Sequence, residues 1–247
     1  MPNPRNHVVS DSWHLSFNFA KSAEPSVDDS KEEFASTASF SSSAMTRYRV
    51  ESILKPETFH YLLNIHYAKR VPPISFAFGL FFDDDLVGVC TYGMPASPSL
   101  CKGIAGNLWK DKVLELNRIA LRYNRKNEAS ILVGRSLKLL PKPSFIVSYA
   151  DTDQNHIGII YQATNWIYTG ASKERIEVAI EGLEHLHSKA ITNMGTWAEL
   201  KQIYGNRVIH RKRSAKHRYI FIVADRRDKK MMQAALKYKQ ESYPKEN

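Results

Sequence analysis

The chain has 247 residues, enough for one large domain with its own core or one domain with appendages. Its composition is ordinary for a soluble globular protein, at 43% hydrophobic, 11% aromatic and 24% charged, and it has neither a bilayer-spanning apolar run nor a secretory leader. The formal charge of +10 is the abnormal figure and points to a polyanionic partner such as nucleic acid, while Cys90 and Cys101 form no metal spacing or disulfide framework and suit a reducing cytoplasm.

Residues 1–45 hold three basic and six acidic side chains and eleven serines, so the rest of the chain carries +13. This first segment reads as a disordered extension. Thr46 to Leu54 alternates as a strand, and Lys55-Pro56-Glu57 opens a helix over Glu57 to Lys69 with Phe59, Leu62, Leu63 and His66 on one face. Ile74 to Phe82 and Leu86 to Tyr92 read as antiparallel strands around an Asp83-Asp84-Asp85 turn. Residues 93–110, with three Gly and two Pro, are expected as a long irregular connection. Val113 to Leu121 is a central strand. A basic polar loop follows it, and then a helix from Ile131 to Leu140.

Phe145 to Ala150 is a buried strand that runs into a polar corner at Asp151, Asp153 and Asn155 and then a one-sided helical pattern to Trp166. Open α/β sheets place ligands at such a carboxyl end. A strand to Thr169, a polar helix over Lys173 to Lys189 and a short helix over Thr196 to Tyr204 come next. Asn206 to Arg213 and His217 to Val223 are expected to pair as a final hairpin, ahead of a basic helix over Asp225 to Tyr238. The order requires an α/β fold with a mixed, mainly antiparallel central sheet flanked by helices.

Strand, basic loop, helix, strand, and then a helix carrying a tyrosine: this order resembles the GNAT acyltransferase superfamily. In that superfamily the loop and helix start after the fourth strand hold the pyrophosphate of acetyl-coenzyme A. The resemblance implies that Arg125, Lys126 and Ser130 bind that cofactor, with Glu128 and Ser130 standing where glycines are expected and a carboxylate beside the pyrophosphate unfavourable. A more specific resemblance is to the Mom family of phage DNA-modification proteins. It rests on His66-Tyr67, on Asn117-Arg118-Ile119-Ala120, on Ser130, and on the block from Tyr149-Ala150-Asp151 through Tyr161-Gln162-Ala163-Thr164 to Tyr168-Thr169-Gly170. It covers roughly residues 46–220, and the GNAT-like catalytic domain is placed at 46–224, followed by a basic C-terminal segment at 225–247.

The Mom resemblance implies conversion of adenine in double-stranded DNA to its N6-methylcarbamoyl form, which shields the DNA from restriction enzymes. It also implies iron as a cofactor, with His66 and Asp151 as ligands, Tyr67 or His156 as additions, and acetyl-coenzyme A as the acyl source. Asp151 is otherwise a helix cap, His66 a core histidine, Ser130 an N-cap and Tyr161 a core aromatic. As a catalytic group, Tyr161 would protonate a departing thiolate. Arg118, on a buried strand, either pairs with Glu115 or Asp151 or presents its fork to an anion. Tyr67, Tyr149 and Trp109 are candidates for stacking on a flipped base. His185 and His187, two apart, point to different faces and argue against a shared metal.

Arg207, Arg211, Lys212, Arg213, Lys216 and Arg218 are expected to contact DNA phosphates, because ten Lys/Arg face two acids between residues 207 and 230. Three readings therefore stand: an enzyme acting on adenine in DNA, a conventional N-acetyltransferase of a small amine, peptide or RNA, and a non-catalytic DNA-binding module on the same fold.

Overall fold

A computed structural model of the chain describes residues 47–95, 97–184, 186 and 188–245. The extension at 1–45 and the pair His185 and His187 lie outside the described residues. Among the described residues, nine strands divide into a seven-stranded sheet of order β1-β2-β3-β4-β5-β9-β6 and a two-stranded ribbon, β7-β8. The strands are β1 (Tyr48–Ser52), β2 (Phe76–Phe82), β3 (Asp85–Gly93), β4 (Val113–Leu121), β5 (Ser144–Asp151), β6 (Ile167–Ala171), β7 (Arg175–Ile180), β8 (Val208–Arg213) and β9 (Lys216–Val223). Every pair is antiparallel except β4–β5. The expected α/β class with a mixed, mainly antiparallel sheet is present, and no described helix is long and apolar enough to cross a membrane.

The helices are α1 (Pro98–Trp109), α2 (Glu128–Leu139), α3 (Ile159–Ala163), α4 (Ser188–Met194), α5 (Trp197–Tyr204) and α6 (Arg226–Ala235). Ile131, Leu132, Val133 and Leu137 of α2 pack on one face of the sheet, against Leu80, Leu116 and Ile146. Alternate strand residues build the other face. There Cys101 and Ile104 of α1 and Met232 of α6 cover Val113, Phe145, Val147, Ile220 and Ile222. Tyr61 and Leu62 cover Val89 and Ala120 on a separate patch. The second face thus has two covers, one from α1 and α6 and one from the segment before β2.

Four expectations fail, each for a physical reason. The helix over 57–69 is a 3₁₀ turn at Lys55–Thr58 followed by a wide π turn at Tyr61–Ile65. The His66 amide closes that turn on the Tyr61 carbonyl at 2.8 Å, and Asn64 donates back to the His60 carbonyl. The buried side is Thr58, Tyr61 and Leu62, with Phe59 and Leu63 exposed. The connection at 93–110 is largely α1, where Pro98 occupies the first turn and Gly106 takes a φ of 67° at a kink. Its glycines are contact surfaces, since a Cβ on Gly103 would meet the Tyr238 hydroxyl at 3.0 Å. That contact and the Lys237 amide on the Ile104 carbonyl tie the C-terminal segment to α1. Cys101 is accordingly a buried helical residue and not a loop residue.

Much of the polar stretch at 173–189 is strand β7, whose partner is β8, so the expected final hairpin does not form. β9 instead sits inside the main sheet between β5 and β6. Helix α5 starts where expected, with Thr196 and Glu199 in a reciprocal capping box.

Candidate functional site

The parallel pairing of β4 and β5 covers only Val113–Glu115 against Phe145–Val147. Past Glu115 and Val147 the two strands part. The Ser148 hydroxyl spans the opening by donating to the Leu116 carbonyl at 2.8 Å, a side-chain substitute for the lost ladder bond. Tyr161 of α3 lies 2.8 Å from the same Ser148 oxygen. Serine has one proton to give, so when Leu116 takes it the Tyr161 phenol is the donor to Ser148. Burial pushes the Tyr161 hydroxyl up to about 12, which keeps it a neutral phenol.

A β-bulge sets the other side of the opening. Thr91 of β3 faces Arg118, while the next residue, Tyr92, faces Leu116, which leaves Asn117 as the extra residue. The bulge shifts the alternation of β4 so that Glu115, Arg118 and Ala120 share the second face. Asn117 accepts from the Thr91 hydroxyl and donates to the Pro73 carbonyl at 2.9 Å. It thereby latches the segment carrying His66, Tyr67 and Arg70 onto the sheet. Gly93 permits the approach, because a Cβ there would lie 2.0 Å from the Pro73 oxygen.

Arg118 is half-buried, and burial lowers its pKa, with Arg70 adding repulsion. Its Nε is buried without a partner, and its Nη1 reaches only the neighbouring Asn117 carbonyl. Neither expected partner, Glu115 or Asp151, forms an ion pair with it. Burial raises the Glu115 carboxyl, against the pull of Arg118, Arg213, Lys216 and Arg70. His66 is driven down to about 4 by burial and then by Arg118 and Arg70. Its ring stacks on Tyr67 at 4.5 Å, and Tyr67 is 57% exposed. Burial raises the Tyr67 hydroxyl, and the Asp151 charge adds to the effect.

Asp151 is the cap of the short turn at Thr152–Gln154, accepting from the Asp153 amide at 3.2 Å, so neither Asp153 nor Asn155 frees it from that role. It also pairs with Lys216 and accepts from Ser214 at 2.7 Å. Partial burial works upward on its carboxyl, but Lys216 and Ser214 outweigh it and hold the group below the usual range.

These contacts overturn the expectation of iron. Among the described residues no group of three or more His, Cys, Asp or Glu could hold a metal ion. Both Asp151 oxygens are engaged, and His66 Nδ1 accepts the Ala68 amide at 3.0 Å. A dication here would enter a field already set by Arg118 and Arg70. His156, offered as a further ligand, is exposed.

The expected cofactor loop also differs in detail. Glu128 is fully buried and accepts from the Tyr48 hydroxyl at 2.9 Å and the Arg125 amide at 2.8 Å. Its carboxylate therefore does not crowd an anion at the start of α2. Arg125 stacks on the rings of Tyr123 and Phe82, and Lys126 is exposed. Ser130 is not the cap; Asn127 is, at φ 68°, and Ser130 donates to its carbonyl.

The six basic residues divide. Arg211 and Arg213 both reach Glu177, at 2.6 and 3.6 Å, and Lys212 reaches Glu174 at 2.8 Å, all on or beside the ribbon. Arg207 donates twice to the Glu181 carbonyl. Lys216 and Arg218 stand on β9, the first on Asp151 and the second on Thr169 with Tyr238 under its guanidinium at 3.5 Å. Arg70 and the Asn117 latch had no role in the sequence reading, and Glu115 entered it only as a possible partner of Arg118. A polar Ser148 inside an apolar run was the one visible signal of the opening.

The sequence profile of the Mom protein family matches residues 47–245. A relative from Escherichia phage Mu, named "Methylcarbamoylase mom", is 26% identical over 187 residues, covering 73% of this chain and 76% of the relative. Among solved structures, the ribosomal-protein-S18-alanine N-acetyltransferase from Escherichia coli is 9% identical, covers 72% of this chain and 94% of its own, and superposes with a TM-score of 0.41. An N-acetyltransferase from Staphylococcus aureus Mu50 is 13% identical, with coverages of 71% and 98% and a TM-score of 0.41.

Proposed function

The chain belongs to the Mom protein family, and from that premise we propose that it is a transferase that modifies adenine in double-stranded DNA to the N6-methylcarbamoyl form, protecting the DNA from restriction. The observation that supports this most strongly is the extent of the family match, which takes in every residue of the β4–β5 opening.

The geometry is consistent with that chemistry. The exocyclic amine of adenine is out of reach inside a duplex, so the base must be extruded into a pocket. The opening on the second face has an exposed aromatic, Tyr67, braced from behind by His66. It also has Tyr149, partly buried on the same strand as Asp151, as a second ring. Asp151, Lys216 and Ser214 hold the end of β5 in place. Tyr161, held as a neutral phenol, would give up its hydrogen bond to Ser148 to protonate the donor-side leaving group. An acyl-coenzyme A donor would place its phosphates at the start of α2, where Glu128 is turned inward.

DNA phosphates would approach the ribbon. Its Lys212–Glu174 pair is exposed and worth only about 0–1 kcal/mol, so a phosphate can displace Glu174 at little cost. Arg211 and Arg213 share the largely covered Glu177 and keep their outer faces open to a phosphate. The test is mass spectrometry of nucleosides from plasmid DNA propagated in cells making the protein. A deoxyadenosine adduct with the mass of a methylcarbamoyl group is expected. Unmodified deoxyadenosine throughout would reject the reading.

A further inference from the structure

Two charged side chains stand beside each other on the second face of β4, and neither is bridged to an opposite charge. Glu115 makes no hydrogen bond or ion pair among the described residues. Arg118 has a buried Nε with no partner and spends one Nη on its own neighbour's carbonyl. They lie at the point where β4 and β5 part, and they share a face because of the bulge at Asn117. Leaving a half-buried carboxylate and a half-buried guanidinium unpaired is costly, and a direct bridge between them would reduce the cost. Instead they are held apart.

A ligand that fits between them must donate toward Glu115 and accept from Arg118 on adjacent atoms of one edge. Adenine carries that pattern, with its exocyclic amine flanked by a ring nitrogen on either side. Guanine and thymine present a carbonyl where the amine would be, which would face the Glu115 carboxylate. We propose that Glu115 and Arg118 form the base-reading pair of the site, Glu115 accepting from the exocyclic amine and Arg118 donating to a ring nitrogen beside it. The inference rests on the adenine-modifying reading and names the two residues that select the base.

The experiment measures binding of the full chain to short duplexes with one extrudable base opposite an abasic position, where flipping costs least. Adenine is compared with purine, which lacks the amine, and with 1-deaza- and 7-deaza-adenine, which each lack one ring nitrogen. The native chain should prefer adenine to purine by about tenfold. Glu115→Val should bind both alike, and Glu115→Gln, which keeps an acceptor, should retain the preference. Arg118→Met should lose the penalty that the native chain shows for one of the two deaza bases. Glu115→Val also removes an unpaired buried charge, so its thermal midpoint should not fall, which separates lost recognition from lost folding. A native chain indifferent to the amine, or a Glu115→Val variant that keeps the preference, overturns the pairing. Preference with no adduct in cellular DNA would leave the base-reading pair standing and reject the transferase reading; an adduct without preference would do the reverse.

Discussion

The β4–β5 opening and the β7–β8 ribbon both owe their character to charge, and they treat it in opposite ways. On the ribbon, Lys212 meets Glu174 in an exposed pair, and Arg211 and Arg213 share the more covered Glu177. In the opening, Arg118, Arg70 and Glu115 are half-buried and unbridged, and the one strong pair, Lys216 with Asp151, fixes the end of a strand. Net charge is therefore a poor guide to where this protein acts. Three of the ribbon's basic side chains are already engaged by two of its own acids, while a few unbridged groups mark the opening. A surface pair can be exchanged for a phosphate at small cost, whereas an unpaired group away from water is stable only if something else in the protein over-determines it.

The largest expected effect separates the two regions. Arg118→Met should lower adenine modification about 100-fold, the scale of losing one preorganised donor, and leave the urea midpoint of the protein unchanged or higher. A fall in stability with full activity would make Arg118 a structural residue and erase the contrast. A smaller effect is expected at the ribbon. Glu177→Gln frees two guanidinium groups, so duplex affinity should rise severalfold, and the salt dependence of binding should steepen by roughly one to two counterions. Unchanged affinity would remove the ribbon from the DNA-facing surface.

The smallest effect is a pH dependence of stability from His66. Its folded pKa of about 4 is below the ordinary 6.5, so the unfolded chain takes up the proton first. Stability from this group is complete above pH 6.5 and is lost as the pH falls from 6.5 toward 4. His66→Gln should flatten that part of the unfolding curve measured by circular dichroism, and an identical curve in both proteins would contradict the placement of His66 beside Arg118.

How far the sequence carried these conclusions depends on how local each signal is. Strand β4 was read to its ends because Val113 to Leu121 is long and β-prone, and the Thr196–Glu199 capping box is complete within four residues. Strand β7 was hidden because Lys and Glu around Ile176, Val178 and Ile180 read as a helical surface, and its partner is about thirty residues further on. Helix α1 was hidden by glycines that serve a distant segment of the same chain. At the site, Asp151 and Arg118 were legible as polar groups at a strand end and in an apolar strand, and Tyr161 as a tyrosine on the helix that follows. The partners of Asp151 lie 63 and 65 residues away, and only the fold shows that they leave it no room for a metal. Glu115 looked like a natural mate for Arg118, and the bulge that sets both on one face without bridging them has no sequence signature.

The most direct test of the central claim is a crosslinking map. A duplex carrying one photoreactive adenine is irradiated with the full chain, and the modified peptides are sequenced. The account predicts crosslinks on the peptides containing Tyr67, Glu115 to Arg118 and Tyr149 to Asp151. Crosslinks confined to residues 173–180 and 207–213 would place the base on the ribbon and contradict it.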